Sequence, residues 1–298
     1  MGLAGKTAPS FYRKMNRKKH VYRVISLVSL LVMAAAILSI VYMLFLYRQS
    51  NRAYLELAQA ARERAEAQAA EALAPPETET PEPPAETEQP DAEKPEYAVI
   101  PVDFDYLTGL NKDIAGWIEV EGTAVDYPIL YDATPTRFYL NHTHIGAYSP
   151  YGSVFMLSEN ARDFSDFNTV VYGHNMLDGS MFASLHNFED QTFFDEHDTI
   201  MVYLPGRVLC YRVFAAYRTD NLNQIVNFPT DTPGDRQAYI DRIYTHTEKA
   251  IFNPDIEVTP DDRIITLSTC IANPAYRYLV QGVLISDREG ISATAPVG

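Results

Sequence analysis

A chain of 298 residues has room for one sizeable domain with appendages, or for two small domains. Its net charge of −15 is unevenly spread, and beyond the first residues no basic patch is present to meet phosphates, which argues against a nucleic-acid partner. Two cysteines on an oxidising side of a membrane could be a disulfide or two free thiols, and their spacing does not decide between these.

Residues 1–23 hold Lys6, Arg13, Lys14, Arg17, Lys18, Lys19 and Arg23 and no acid; +7 there within −15 overall puts the remainder at −22. From Val24 to Tyr47 runs an uncharged stretch, VISLVSLLVMAAAILSIVYMLFLY, whose polar interruptions are serines. At about 1.5 Å per residue it exceeds the roughly 30 Å hydrocarbon core of a bilayer. A cleavable signal peptide usually has an apolar region of only about 7–15 residues, so the length predicts a retained single transmembrane helix over 24–47. The basic flank places residues 1–23 in the cytoplasm as a short tail and the acidic remainder outside the cell.

Residues 48–74 are rich in Ala, Glu, Arg, Gln and Leu, strong helix formers with few large apolar side chains, which predicts a solvated helical stalk. From 75 to 96 the chain turns to Pro, Glu and Thr, with eight acids between Glu77 and Glu96 against Lys94. Such a segment cannot bury a core and is expected to be a disordered linker.

A folded domain over 97–298 is expected next. Phe104, Leu107, Leu110, Ile114 and Trp117 recur at helical intervals and predict a short helix or two. Short β-type runs follow: GWIEVE, AVDYPILY, SVFML, NTVVYGH, TIMVYL, VLCYRVFAAYR, RIITLSTC and RYLVQGVLIS, punctuated by Gly, Pro, Asn and Asp. They predict a mostly β fold, an antiparallel sheet closed into a barrel or folded into a sandwich. One longer helix interrupts them at about 232–250, with Thr232 as cap, Pro233 at its first position, Asp235 in its first turn, and a stripe of Tyr239, Ile240, Ile243 and Tyr244.

Cys270 ends the run RIITLSTC, and Thr266, Ser268 and Cys270 share a parity and so a face of the strand. A nucleophilic thiol needs access, a route to the thiolate and a partner that protonates the leaving group; the plainer reading is a small buried hydrophobe. Arg277 opens the next strand, where its fork of donors could hold a carbonyl as it becomes an oxyanion, or could merely guard a strand edge. A partner histidine must come from seven. His20 is on the cytoplasmic side, while His186, His197 and His246 read as solvated surface residues. His142 and His144 form a His-x-His pair, but no acidic or cysteine cluster accompanies them, so no metal is expected. His174 ends the strand NTVVYGH, with Gly173 before it to let the backbone turn and Asn175 after it, the same kind of position as Cys270.

VVYGHNM, TLSTC and an arginine opening the following strand resemble the signature of the sortases, cell-wall transpeptidases of Gram-positive bacteria. DFDYLTGLNKDIAGWIEVEGTAVDYPIL, YLNH at 139–142, GSMFASL after the histidine and the helix at about 232–250 are similar to class B in particular. The loop from the cysteine to the arginine, IANPAY, is shorter than in the class B enzymes that anchor haem-uptake proteins. The resemblance implies a closed eight-stranded β-barrel with N-terminal helices, one longer helix before the catalytic strand, and no cofactor. It implies Cys270 as nucleophile, His174 as general acid and then base, and Arg277 as oxyanion and substrate anchor. Asn141, Tyr172 and Ser268 would line the substrate groove, and Cys210 matches no catalytic position. The implied partners are surface proteins bearing a C-terminal sorting signal and an amine of a peptidoglycan precursor or a pilin.

Two other classes compete. A secreted cysteine peptidase of the cell wall usually carries its cysteine before its histidine and at a helix start, whereas here His174 precedes Cys270 and both end strands. A non-catalytic wall-binding module would leave Cys270 unreactive toward a polar alkylating reagent.

Overall fold

The eight β-type runs read from the sequence close on themselves. The computed structural model describes residues 8–72, 98–134, 136–220, 228–245, 248–271 and 275–292. The chain divides into two compact units, residues 1–49 and 50–298. Helix α1 (Ala8–Ala72) supplies the first unit, including the apolar run 24–47, and its residues from Ser50 belong to the second. Among the described residues it is the one helix long and apolar enough to cross a membrane. The proposed linker 75–96 and His246 lie outside the described residues.

In the second unit, α1 is followed by β1 (Ala98–Ile100), α2 (Phe104–Leu110), β2 (Ile114–Val120), β3 (Asp126–Asp132), β4 (Val154–Leu157) and β5 (Asn168–Tyr172). Then come α3 (Gln191–Glu196), β6 (Thr199–Leu204), β7 (Arg207–Asp220), α4 (Pro233–Thr245), β8 (Glu248–Phe252), β9 (Ile264–Cys270) and β10 (Tyr276–Ser292). Strands pair in the order β2-β3-β4-β5-β9-β10-β7-β6 and β6 returns to β2, an eight-stranded closed barrel, while β1 and β8 extend it on β10 and β7. Closure leaves these eight strands without a free edge.

The ladder is mixed rather than antiparallel throughout, because β3 runs parallel to β4 and β5 parallel to β9. These parallel pairs are joined through long excursions, and it is those excursions that carry the loop at 133–153 and the segments after His174. Helix α4 is shorter than the pattern predicts: it stops at Thr245 and residues 248–252 form β8 against β7. Its start is as expected. Thr232 Oγ1 accepts from the Asp235 amide at 3.1 Å, and the Asp235 carboxylate accepts from the Thr232 amide at 3.1 Å, a reciprocal cap. Likewise Ile114 and Trp117 belong to β2, and α2 ends at Leu110.

Helix α4 buries Tyr239, Ile240 and Ile243 against Phe214, Tyr217, Ile264, Leu279 and Val283. Within that contact lies a closed polar network. Gln281 donates to Tyr239 Oη at 2.7 Å and to Thr266 Oγ1 at 2.8 Å, and accepts from Tyr217 Oη at 2.8 Å. Thr266 donates to Asn168 at 2.6 Å, which donates to Tyr239 Oη at 3.0 Å. Burial pushes the Tyr239 hydroxyl up to about 12, so it stays neutral while its oxygen accepts from both amides. Every polar member is satisfied, and such a network fixes β5, β9 and β10 in one register directly below Tyr172, Cys270 and Arg277.

The expected solvated stalk is instead partly a packed helix. Tyr54, Leu57, Ala58, Ala61 and Ala65 are buried, and Leu57, Ala58 and Ala61 join Ile100, Val102, Leu107 and Trp117 in one cluster. Their spacing places them on one face, and the alanines let two backbones approach: the Asp103 amide donates to the Ala61 carbonyl at 3.1 Å. Arg62 donates to both oxygens of Asp126 at 2.7 and 2.8 Å and to Glu119 at 2.6 Å, while Trp117 Nε1 donates to Asp126 at 2.7 Å.

His142 and His144 diverge. The ring of His142 stacks on Phe138 with centroids 3.8 Å apart, whereas His144 is 5% exposed and packs against Tyr54. Burial pulls the His144 imidazole down to about 4, and its Nδ1 has no hydrogen-bond partner. As pH falls from about 6.5 the unfolded chain takes up this proton before the folded one does. Its contribution is therefore complete above about 6.5 and is lost as pH falls toward 4, by about 3 kcal/mol at most. Urea unfolding of His144→Phe beside the parent at pH 7 and pH 4.5 is expected to show a smaller acid loss in the variant. Equal losses would remove His144 as the cause.

Candidate active site

β9 and β10 form the hairpin on which the site is built, with Cys270 directly opposite Arg277, Ser268 opposite Leu279 and Thr266 opposite Gln281. On the other side of β9, Tyr172 of β5 lies opposite Ser268. Alternation along three paired strands therefore gives Cys270, Arg277 and Tyr172 the same face as the buried network above α4. Cys270 and Arg277 are half-buried and Cys270 is a free thiol, as is Cys210. Burial raises the Cys210 thiol above its ordinary range, so it stays protonated and unreactive.

His174 lies two residues beyond the end of β5. Its approach to the barrel is set by Gly173, whose amide donates to the Ser268 carbonyl at 3.1 Å. A Cβ on Gly173 would stand 2.5 Å from the ring of Phe182, so glycine is required there by close packing and not by a turn. The His174 carbonyl accepts from the Phe182 amide at 2.9 Å, and its Nε2 lies 2.6 Å from the Leu140 carbonyl. A carbonyl only accepts, so Nε2 carries a proton and Nδ1 is the nitrogen left to exchange one.

Leu140 sits in a 3-10 turn, Phe138–Leu140, and Asn141 follows it with its side chain exposed. That turn begins at Arg137, and the charges of Arg137 and Arg277 both bear on the Tyr172 hydroxyl, which burial nevertheless raises above its ordinary range. Asn141, Tyr172, His174, Cys270 and Arg277 are thus drawn to one end of the barrel. Ser268 is different: it is 3% exposed and sits beneath them. Of the IANPAY loop, residues 272–274 lie outside the described residues. An open hollow of about 710 Å³, lined by Arg62, Glu119, Asp126 and Tyr203 among others, includes none of these site residues.

Two residues near Cys270 were not foreseen in this role. Asn175 Nδ2 lies 3.0 Å from the Cys270 carbonyl and 3.0 Å from His186 Nε2. His186 belongs to a 3-10 segment, Ala183–Glu189, where the sequence predicts a solvated loop. It is held at Nδ1 by Glu189 at 2.6 Å, and its ring stacks on Tyr278 with centroids 4.8 Å apart. The i,i+3 spacing of His186 and Glu189 is the signal in the sequence that could have singled it out. His197 is not fully solvated either, since its Nδ1 is buried without a partner and its ring closes over Gly122.

A thiol, an imidazole and a guanidinium at the end of an eight-stranded barrel can be compared with known proteins. Residues 118–285 match the family described as Sortase domain. Sortase B of Listeria monocytogenes is 35% identical over 185 residues, 60% of this chain and 73% of that protein. Sortase B of Staphylococcus aureus is 34% identical, with 56% of this chain and 67% of that protein covered. Among solved structures, Clostridium perfringens sortase B superposes with a TM-score of 0.57 at 29% identity, over 62% of this chain and 100% of that one. Bacillus anthracis sortase B gives a TM-score of 0.61 at 26% identity, over 82% of this chain and 99% of that one. Neither a wall peptidase of another fold nor a bare binding module accounts for these matches. The family match spans more than half of the chain and the relatives named above are sortase B, so the chain belongs to the sortase family of cysteine transpeptidases, and within it to class B.

Proposed function

We propose that this transpeptidase is anchored by residues 24–47 with its catalytic unit outside the cell, and that it joins sorting-signal proteins to an amine through a thioester on Cys270. The observation that carries this reading is the register of the β9–β10 hairpin, which sets Cys270 opposite Arg277 while Asn175, next to His174, bonds the Cys270 carbonyl. A Staphylococcus aureus sortase B similar to this chain, with a TM-score of 0.56, was solved as a substrate complex, which supports a substrate-binding site in this fold.

In the first step the Cys270 thiolate attacks a carbonyl carbon within the sorting signal. The carbonyl oxygen becomes an oxyanion held by the Arg277 fork, and the C–N bond breaks as protonated His174 gives its proton to the departing amine. A thioester remains. In the second step an incoming amine, from a peptidoglycan precursor or a pilin lysine, attacks that thioester; His174 takes its proton and the Cys270 thiolate leaves. The thioester keeps the energy of the broken amide, so no nucleotide is consumed. Turnover needs cysteine ionised while histidine is protonated, so only that fraction of the enzyme is active. Tyr172 and Asn141 would line the groove, with Ser268 shaping its floor from beneath. A membrane anchor would bring the enzyme to secreted proteins and lipid-linked acceptors at one surface.

Mass spectrometry of products from a library of sorting-signal peptides and candidate amines tests this. A peptide cut within the signal, an acyl adduct on Cys270 and a new amide are expected. Arg277→Lys keeps the charge and loses the fork, so turnover is expected to fall about tenfold or more. Products of hydrolysis alone, with no amide from any amine, would overturn the transfer step, and unchanged Arg277→Lys kinetics would remove Arg277 from it.

A further inference from the structure

The geometry points to Asn175 and His186 as positioning residues: a relay Glu189–His186–Asn175 holds the main-chain carbonyl of Cys270 and so sets the thiol against His174. This rests on the reading of Cys270 as nucleophile given above.

The proton inventory of the cluster is determined by its chemistry. The Glu189 carboxylate only accepts, so His186 Nδ1 at 2.6 Å donates to it. The Asn175 amide nitrogen only donates, so in that contact His186 Nε2 accepts at 3.0 Å. One Asn175 hydrogen is thereby committed to His186, and its second reaches the Cys270 carbonyl at 3.0 Å. His186 Nε2 also stands 3.3 Å from the Cys270 carbonyl, a contact that becomes a hydrogen bond when Nε2 carries the proton; the shorter 3.0 Å contact from the Asn175 donor is the one that leaves Nε2 an acceptor. All three polar groups are satisfied in a single arrangement, and rotating the Asn175 amide would set its oxygen against both acceptors. The tautomer of His186 therefore dictates which way Asn175 points.

The placement of this relay within the site gives it a function. Asn175 is the neighbour of His174, Tyr278 on which His186 stacks is the neighbour of Arg277, and the third contact is to Cys270 itself. One imidazole thus bears on the chain beside each of the three reacting groups. The strand beside β9 on the side of this carbonyl, β5, ends at Tyr172 opposite Ser268, and the Gly173 amide takes the Ser268 carbonyl. At that point the Cys270 carbonyl no longer faces a strand, and the Asn175 amide stands in for one. A reacting thiol displaced by about 1 Å can cost on the order of a hundredfold in rate.

The test compares Asn175→Ala, His186→Ala, His186→Gln and His186→Asn in the full chain, with Cys270→Ala as reference. Glutamine places an acceptor where His186 Nε2 stands, whereas asparagine can replace only the Nδ1 end facing Glu189. Asn175→Ala and His186→Ala are expected to lower kcat about 10- to 100-fold with KM changed by less than about twofold, and the double variant to be no slower than either alone. Cys270 alkylation by a small reagent should change in the same variants. His186→Gln should recover most of the lost kcat and His186→Asn should not, at melting temperatures close to the parent. Equal activity of the Gln and Asn variants, additive losses, or losses that follow melting temperature would each overturn the relay. A dead Cys270→Ala beside undisturbed Asn175 and His186 variants would overturn it while leaving the nucleophile in place. An active Cys270→Ala would instead remove the nucleophile on which the relay depends.

Discussion

Cys270→Ala is expected to abolish acyl transfer, with turnover reduced at least about a thousandfold and no acyl adduct on the protein. Removal of a nucleophile from a site that works as a unit costs about as much as removing all of its members, because the acid–base group and the oxyanion anchor have nothing to act on. Folding should be nearly indifferent to the change. Cys270 is half-buried at the last position of β9, its pairing with Arg277 is made by the main chain, and its carbonyl bond from Asn175 survives in alanine. The measurement is intact-protein mass spectrometry with a cleavable sorting-signal peptide, beside a thermal melt. The parent should gain the acyl fragment and the variant should not, with melts that superpose. An adduct in the variant would move the nucleophile to another residue, and Cys210 is a poor substitute because burial holds it in the thiol form.

The barrel was legible because its strands are β-branched and aromatic runs separated by turn residues, and each run had to be buried on at least one face. All eight reappear as the closed ring β2, β3, β4, β5, β6, β7, β9 and β10. Partnering was less legible. Local pattern carries no information on direction, so the parallel pairs β3–β4 and β5–β9 were read as antiparallel. β8 was absorbed into the preceding helix because Glu248 to Phe252 lies exposed or half-buried on an edge, with no clean alternation to mark it.

The site divides in the same way. Cys270, His174 and Arg277 are conspicuous because each ends or opens a strand, where barrels expose chemistry. His186 was read as solvated because a histidine in a polar 3-10 segment shows nothing of what it faces. Its partners Asn175, Cys270 and Tyr278 come from three other parts of the chain, and only the fold brings them together. Gly173 gave the right signal for the wrong reason: the position excludes a side chain because Phe182 fills the space, which no local turn rule contains.

The stalk misreading leads to the second large effect. A chain beginning at residue 50 is expected to fold and melt as one unit, whereas a chain beginning at 73 is expected to lose cooperative melting or to aggregate. Scoring only large apolar residues hides the stripe Tyr54, Leu57, Ala58, Ala61 and Ala65, whose alanines bury little area each but let the helix lie against Ile100, Val102, Leu107 and Trp117. Tyr54 alone is 1% exposed and donates to the Gly152 carbonyl at 2.7 Å, within a cluster that includes Ser153. Truncating a buried aromatic costs about 3–5 kcal/mol and a buried leucine about 2–5, against a total stability of about 5–15. Loss of the whole segment also leaves Trp117 uncovered and takes Arg62 from Asp126 and Glu119, a half-exposed pair of ion bridges that adds about 1 kcal/mol after solvent screening. Tyr54→Ala in the chain beginning at 50 grades the same interaction, with an expected fall in melting temperature of roughly 5 °C or more for a domain of this size. Coincident melts of the chains beginning at 50 and at 73 would return residues 50–72 to the role of a spacer.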